Sequence, residues 1–389
     1  MALRLLHPPI GTTVRWVAFE TKYDQCVVVL QKAYKFILDH EKSIGAFVCD
    51  FGFSGPGSSR LLCNVNVAPF TVAHEIALRL DLNCDFRDPQ HKDLRVSVTH
   101  LLTLLKTHPS LEDCQLTVYG EPMKERYAGP PPKVSLPQSL KKLRLTSERP
   151  LAGALFSGLA SIPKDTKITF CTQDNDITIR APDILKDTLP EGSFIHNAYI
   201  PAQGLQFLAS RDKAVITLGN FTIEIKPGAN PSRSNGEWCQ RTQQILQRAV
   251  EGRQFTKLEV FLQEGTWFPA AYWRELVGNA PEVETMIYSC PNAQNFLAAL
   301  AEPGVTGHSL QRITKLEFHG VEFVGETLSQ LEKAIESRKT SGHPIKNITI
   351  HTFESKGEIY DYGKVSRLEN SLKPEGILYL QFPRTQKRS

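Results

Sequence analysis

A glycine- and serine-rich stretch at residues 52–60, GFSGPGSSR, is the first place in the chain where chemistry could occur. Loops of this composition can cradle phosphate groups or present a nucleophilic serine. The known patterns do not fit, because a nucleophile elbow would need glycine at Pro56 and a dinucleotide-binding loop starting at Gly55 would need glycine at Arg60. We therefore interpret Gly52–Arg60 as a surface loop. An enzyme or small-ligand binder that uses this loop is the alternative interpretation.

The other candidates for catalysis or metal binding are histidines and carboxylates. His100 and His108 flank a leucine-rich segment, but their spacing does not place them on one helical face as a pair of ligands, and no third ligand lies nearby in the sequence. The carboxylates are scattered, and no spacing brings two of them together as acid and base. We therefore expect no enzyme activity, no metal site and no cofactor.

Composition narrows the possible partners and compartments. The 389 residues are 41% hydrophobic and carry 45 basic against 41 acidic side chains, a balance that favours neither a nucleic acid nor an anionic membrane as partner. The eight cysteines are dispersed without a CxxC pair, as is typical of buried thiols inside cells. No run of about 18 apolar residues is present, so we predict a protein of the cytosol or nucleus with no membrane contact.

One short motif recurs along the chain and predicts the architecture. Apolar residues stand at its first, fourth and sixth places, as in ITKLEF, which begins at Ile313. The same arrangement occurs in LEDCQL, LKKLRL, FTKLEV, VETMIY and IKNITI. From Val260 onward the sixth places recur about every 30 residues, at Tyr288, Phe318, Ile350 and, in GILYLQF, Leu380. We therefore expect the strands centred on Leu258, Met286, Leu316 and Ile348 to be neighbours in one parallel sheet.

Helical segments separate these motifs. In segments such as AAYWRELVGNAP and TLSQLEKAIESR the apolar residues recur at spacings of three and four, for example at Leu328, Leu331 and Ile335. Strands joined through helices run parallel, and repeated crossovers coil the chain into a solenoid. Between the regular parts we expect further strands in DTKITF, FIHNAYI and FTIEI, with a β-hairpin turn at Gly219-Asn220.

The motif ITKLEFHGVEF resembles the leucine-rich repeat pattern. Together with phrases such as SLPQSLKKLRL and AGALFSGLASIPKDTKITF, it is similar to the irregular repeat arrays of fungal F-box-like proteins, over about residues 96 to 382. The resemblance implies an α/β solenoid, an irregular leucine-rich-repeat array with a parallel sheet lining the concave face and helices outside. In that family an amino-terminal F-box recruits a Skp-type adaptor of a cullin ubiquitin ligase, and the repeats hold the protein to be modified.

The F-box itself is not recognisable in this chain. Its Leu-Pro pairs, Leu136-Pro137 and Leu189-Pro190, both fall within the repeats. We interpret residues 1–95 as a capping region or degenerate repeats and residues 96–389 as the repeat solenoid. We therefore expect the chain not to bind a Skp-type adaptor.

The repeat motif also indicates where a protein partner would bind. Side chains alternate along a strand, so the fourth and sixth places point into the core and the third, fifth and seventh point to the opposite, concave face. This face mixes charges with apolar and imidazole groups, which suits an unknown protein better than a nucleic acid. Trp267, which precedes a helix, is a second and weaker candidate. The predicted partner-binding residues are Lys257, Glu259, Phe261, Lys315, Glu317, His319, Thr349 and His351.

Overall fold

The structure analysed is a computed structural model of the 389-residue chain. It describes residues 17–21, 46–53, 75–82, 95–96, 98–106, 111–118, 121–122, 133–174, 183–199, 203–228, 235–263, 266–278, 280, 282–302, 312–321, 323, 326–351, 370 and 378–381.

The described part of the chain is a mixed α/β protein. Its strands are β1 (Val17–Thr21), β2 (Ala46–Phe53), β3 (Glu75–Leu82), β4 (Arg95–Val96), β5 (Asp113–Val118), β6 (Glu121–Pro122), β7 (Val134–Ser135), β8 (Lys142–Ser147), β9 (Leu159–Ser161), β10 (Lys167–Asp174), β11 (Gly204–Ala209), β12 (Ala214–Leu218), β13 (Phe221–Pro227), β14 (Lys257–Leu262), β15 (Thr285–Ser289), β16 (Lys315–His319), β17 (Asn347–His351) and β18 (Leu378–Gln381). Its helices are α1 (Val98–Lys106), α2 (Arg149–Ser157), α3 (Ile184–Thr188), α4 (Phe194–Tyr199), α5 (Asn235–Val250), α6 (Ala270–Gly278), α7 (Gln294–Ala301) and α8 (Glu326–Thr340).

The chain divides into two compact units. Unit 1 comprises Met1–Gln173, Ile184–Ile200 and Asn220–Glu224, and unit 2 comprises Asp174–Asp183, Pro201–Gly219 and Ile225–Ser389. The predicted boundary at residue 95 stays a prediction, because most of residues 1–95 lie outside the described part of the chain.

Unit 1 contains a run of parallel strands in the order β1, β2, β3, β5, β8 and β10. Its core includes the rings of Phe156 on α2, Phe170 on β10 and Phe221 on β13. Phe156 contacts the other two rings with centroid distances of 6.3 and 5.7 Å, in edge-to-face geometry. This arrangement suits the charge distribution of aromatic rings and fixes α2 against the sheet.

Unit 2 contains the strands β12, β11, β14, β15, β16, β17 and β18 in that order. β11 and β12 pair in antiparallel fashion, and every other neighbouring pair described in this unit is parallel. From β14 onward the order in the sheet follows the order in the chain. Helices α6, α7 and α8 each connect one of these strands to the next, and consecutive helices contact each other.

The predicted neighbours in the sheet are confirmed, residue for residue. Leu258 lies opposite Met286, Met286 opposite Leu316, and Leu316 opposite Ile348. Leu380 lies opposite Ile350, as the spacing of the motif predicts. The register is well defined because a slip by one residue would move every buried side chain to the other face.

Burial explains why these segments form strands and helices. In β16 the side chains of Leu316 and Phe318 are buried, with exposed fractions of 1% and 0%, whereas Lys315 is exposed. Helix α8 buries residues spaced by three and four along one face, among them Leu328, Leu331 and Ile335. The buried side chains of the strands, at every second residue, and those of the helices, at spacings of three and four, form one apolar layer between them.

Aromatic rings fill much of this layer in unit 2. Trp273 on α6, Tyr288 on β15 and Phe296 on α7 form a cluster, in which Tyr288 and Phe296 stack with a centroid distance of 4.8 Å. Phe318 on β16 continues the cluster to Phe323, at 5.1 Å. The cluster contains rings from β15, β16, α6 and α7, so successive connections share one core.

One predicted strand is wrong. Its residues Phe194–Tyr199, from the segment FIHNAYI, form helix α4, in which the apolar residues Phe194 and Ile195 are adjacent rather than alternating. Ser193 initiates the helix, since its hydroxyl accepts the N–H of His196 at 3.1 Å and its carbonyl accepts the N–H of Asn197. The chain turns between β12 and β13 at Gly219-Asn220, as predicted, and Gly219 has a φ of 58°.

In the described part of the chain, none of the helices combines the length and the apolar character needed to cross a lipid bilayer.

Candidate functional site

The predicted partner-binding residues lie on four neighbouring strands of unit 2, β14 to β17. Parallel pairing in register places equivalent positions of the repeat side by side, so each position forms a row across the sheet. We call the three rows together the exposed strand face. It consists of Lys257, Thr285, Lys315 and Asn347, then Glu259, Ile287, Glu317 and Thr349, then Phe261, Ser289, His319 and His351.

Most of this face is accessible to solvent, but one position is not. Lys315 and Asn347 are exposed, and Phe261, Glu317 and His319 are partly exposed. Ile287 is buried, with 6% of its surface exposed, although the alternation of the strand assigns it to this face. Its row places it between Glu259 and Glu317, so this row has an apolar centre between two carboxylates.

The two lysines of the first row differ in their surroundings. Lys257 Nζ lies 2.6 Å from one oxygen of Glu259, and Gln206 Nε2 donates to the other oxygen, also at 2.6 Å. Glu259 is consequently only 12% exposed, and its charge is largely used within the chain. Lys315, by contrast, forms no ion pair with any residue in the part of the chain that the structure describes. It is therefore the lysine of this face that is available to a partner's carboxylate.

Glu317, His319 and His351 converge on the same face. His319 Nε2 lies 2.7 Å from Glu317 Oε1, and His351 Nε2 lies 2.9 Å from the same oxygen. The two imidazole rings stack, with a centroid distance of 4.1 Å and an angle of 15° between their planes. β16 and β17 impose this geometry, because their register sets His319 directly opposite His351 and strand alternation puts Glu317 on the same face as His319.

The histidines also affect the charge state of Glu317. Partial burial raises the pKa of this carboxyl, but hydrogen bonds from His319 and His351, together with attraction to their positive charge when protonated, outweigh that effect. The pKa of Glu317 therefore lies below its ordinary value, and the group is an ionised acceptor at neutral pH. Each imidazole Nε2–H then donates to the carboxylate.

This cluster offers the donor set of a metal site, with two imidazole nitrogens and one carboxylate oxygen. The three ligand atoms lie within 4.8 Å of one another. Imidazole and carboxylate ligands suit zinc and the other late transition metals. Sequence reasoning assigned all three residues to the exposed strand face but did not recognise that they converge. The available signal was that both histidines hold the seventh place of consecutive motifs, with Glu317 two residues before one of them.

Trp267 is the large hydrophobic side chain that stands out from the described surface, with 62% of it exposed. Its backbone is held in place, because its carbonyl accepts the Cys239 thiol at 3.0 Å and the Gln243 amide at 3.3 Å. The neighbouring Phe268 is 1% exposed and belongs to the core. An exposed indole on a fixed backbone can bury a large apolar area against a partner with little further loss of entropy.

The remaining candidates from the sequence do not add a second described site. In the Gly52–Arg60 loop, Gly52 and Phe53 end strand β2, and residues 54–60 lie outside the described residues. His108 also lies outside them, and His100 is described only as part of α1. The predicted buried thiols are confirmed at four positions of the described chain, Cys114, Cys171, Cys239 and Cys290. Burial and the nearby Asp113 charge raise the pKa of Cys114 to about 12, so this thiol is not a nucleophile.

Comparison with known proteins adds no relative: no family model matches the chain, and no curated protein resembles it closely enough to be counted as one.

Proposed function

We propose that this chain is a non-catalytic protein-interaction module, built as an irregular leucine-rich-type solenoid, whose partner docks on the exposed strand face. The observation that carries the proposal is the in-register alignment of β14 to β17, which turns separate residues into continuous rows. Strands of a sheet lie about 4.8 Å apart, so one extended surface presents Lys257, Lys315, Phe261 and His319 together.

The chemistry of the face favours a protein that brings carboxylates to it. Lys315 is exposed and has no ion pair among the described residues, and Lys257 shares one carboxylate with Gln206. Phe261 and the two stacked imidazoles add apolar and polar contacts beside these lysines. Mixed character of this kind is typical of protein interfaces and differs from the dense positive charge of nucleic-acid sites.

Two further features support this class of function. Trp267 presents an exposed aromatic side chain from a backbone held by hydrogen bonds. Tryptophan is one of the residue types that most often contribute a large share of the binding energy at protein interfaces. The alternation of parallel strands and helices after β14 supports the proposed solenoid, an architecture that commonly binds proteins. We propose the cytosol or nucleus as the compartment, since Cys114, Cys171, Cys239 and Cys290 are free thiols. Cell fractionation would test this assignment.

The test of the proposed interface has two steps. Proteins that the purified chain captures from cell extract are first identified, and the affinity of each purified candidate is then measured at several salt concentrations. For a true partner, the double variant Lys257→Glu/Lys315→Glu should bind at least about tenfold more weakly. Its binding should also lose most of the salt dependence that the unmodified chain shows, because the attraction between the two lysines and the partner's carboxylates is gone and repulsion replaces it. Either single variant should have a smaller effect.

A matched control separates the interface from general charge effects. Lys164 and Lys333 are exposed and lie outside the exposed strand face, so Lys164→Glu/Lys333→Glu makes the same change in net charge. This control should bind as tightly as the unmodified chain. Thermal unfolding of both double variants establishes that they are folded, and Lys257→Ala/Lys315→Ala avoids repulsion at Glu259 if the reversal disturbs folding. Equal weakening by the control would mean that the partner does not use this face.

A further inference from the structure

We propose that Glu317, His319 and His351 form a binding site for a divalent transition-metal ion of the zinc class, open to solvent on the exposed strand face. The inference does not depend on the existence of a protein partner, because it concerns only three side chains and an ion. It rests on the geometry of two adjacent strands, on the chemistry of the donor atoms and on their exposure.

Folding brings the three ligands together without needing the metal. The pairing of β16 with β17 sets the two histidines opposite each other, and Glu317 shares their face. Both Nε2 atoms already point at one carboxylate oxygen, at 2.7 and 2.9 Å. Ligands placed in advance by rigid strands lose little entropy when an ion binds.

The distances from Glu317 Oε1 to the two histidine nitrogens are close to the distances between ligand atoms around a bound zinc ion. Zinc bonds to nitrogen and oxygen are about 2.0–2.1 Å long, which puts the ligand atoms of a tetrahedral site about 3.3 Å apart. Glu317 Oε1 lies 2.7 and 2.9 Å from the two nitrogens, so shifts of roughly half an ångström would admit an ion. When the ion binds, it replaces the two N–H···O hydrogen bonds, and each Nε2 proton has to leave. A neutral imidazole exchanges protons with water to become the Nδ1–H tautomer, and a protonated imidazole releases its Nε2 proton to solvent and keeps the one on Nδ1.

The donor atoms of the site determine which ions it can bind. Two imidazoles favour zinc, copper, nickel or cobalt, whereas magnesium and calcium prefer sites made wholly of oxygen atoms. Glu317 supplies one negative charge to balance the ion. The three side chains are 33%, 31% and 26% exposed for Glu317, His319 and His351, so water can complete the coordination. A site with three protein ligands and an open position holds its ion exchangeably, unlike a closed structural zinc site.

The test uses the full chain, freed of metal by a chelator, and titrates it with zinc ions alone and with cobalt ions alone. The unmodified chain should bind zinc with one more equivalent, or one tighter class of sites, than His351→Ala and His319→Ala. Its cobalt complex should show visible absorption bands that weaken in those variants. Zinc should raise the unfolding temperature of the unmodified chain by more than that of either variant.

Two further variants keep the result interpretable. His196→Ala, at a histidine of unit 1 that is not one of the three ligands, should retain full zinc binding, which shows that loss of a histidine is not by itself enough to weaken it. Glu317→Gln keeps the shape and a hydrogen-bond acceptor, so it should remain folded even if an alanine variant does not, and it should bind zinc at least about tenfold more weakly. The proposal is overturned if Glu317→Gln and the folded histidine variants take up zinc with the same stoichiometry and affinity as the unmodified chain.

Discussion

Two adjacent residues of β16, Leu316 and Lys315, should contribute very differently to stability. Leu316 is 1% exposed and packs in the apolar layer, so Leu316→Ala leaves a cavity and should lower the free energy of unfolding by about 2–5 kcal/mol. Lys315 is exposed, so Lys315→Ala should change it by less than about 0.5 kcal/mol. Unfolding in urea, followed by circular dichroism, measures both. If Lys315→Ala cost more than Leu316→Ala, the register of β16 would be shifted by one residue. The side chains assigned to the core and to the exposed strand face would then be exchanged.

The candidate site shows how far single residues could be predicted. Alternation along a strand is a strong constraint, so Lys315, Glu317 and His319 were assigned correctly to one side of β16. Ile287 follows the same alternation and is nevertheless buried, because its exposure depends on the neighbouring rows and not on its own strand. The contact of His319 with His351 depends on the register between strands and on side-chain rotamers. Neither the register nor the rotamers can be inferred from the sequence of either motif alone.

Among the secondary-structure elements, a buried ion pair within unit 2 joins Asp174, the last residue of β10, to Arg241 on α5. Arg241 Nη2 donates to Asp174 at 3.0 Å and Arg241 Nε donates to its second oxygen, while the two side chains are only 1% and 6% exposed. Sequence reasoning did not find this pair, since its members are far apart in the chain and belong to elements of different type. Its bidentate geometry holds the Arg241 side chain in one orientation.

Removing one member of this pair should be costly. Asp174→Ala takes the carboxylate away from a buried guanidinium, so the free energy of unfolding should fall by about 3–5 kcal/mol. The double variant Asp174→Ala/Arg241→Met removes the buried charge as well and should be more stable than Asp174→Ala. Urea unfolding of both provides the comparison.

An exposed ion pair is the matched control for this experiment. Lys141 and Glu112 form such a pair, with side chains 71% and 44% exposed, so Lys141→Ala should cost less than about 1 kcal/mol. A cost for Asp174→Ala no larger than that of Lys141→Ala would show that Arg241 is not held in this buried pair in solution.

The strands and helices were predictable where the repeat is regular and less so between residues 170 and 250. The motif located β14 to β17 because apolar residues at its first, fourth and sixth places must all face one core. It missed β11, which pairs with β12 in antiparallel fashion and with β14 in parallel fashion and so adds a strand that the period does not contain. The motif also predicted a strand where the chain forms α4. The hydrogen bond from the His196 N–H to the Ser193 hydroxyl favours the start of a helix at this point.

At the scale of the whole molecule, the balance of charge bears on the kind of partner that the proposed interaction module would bind. Basic and acidic residues number 45 and 41, and several basic side chains of the described surface are paired locally, as Lys142 is with Asp113 and Arg144 with Glu224. Such a surface has no broad field of one sign to collect polyanions. For the proposed interaction module, specificity would then come from local arrangement, and the sheet provides rows of side chains at fixed spacing.

The resemblance to fungal F-box-like proteins raises the question of whether the whole chain joins a ubiquitin ligase through a Skp-type adaptor. Docking of the adaptor would need an F-box whose apolar residues are accessible. The two Leu-Pro pairs do not provide one, because Leu136 and Leu189 are buried in unit 1, with exposed fractions of 2% and 0%. Both leucines contribute to the core and are unavailable to a second protein.

We therefore predict that the purified chain does not retain a purified Skp-type adaptor in a pull-down. A protein with a functional F-box, treated in parallel, is the positive control and should retain the adaptor. The partner captured by the exposed strand face should bind whether or not the adaptor is present, because that face lies on β14 to β17. Stable recovery of the adaptor would show that residues 1–95 contain a diverged F-box, and the chain would then be a substrate receptor whose strand face holds the protein to be modified.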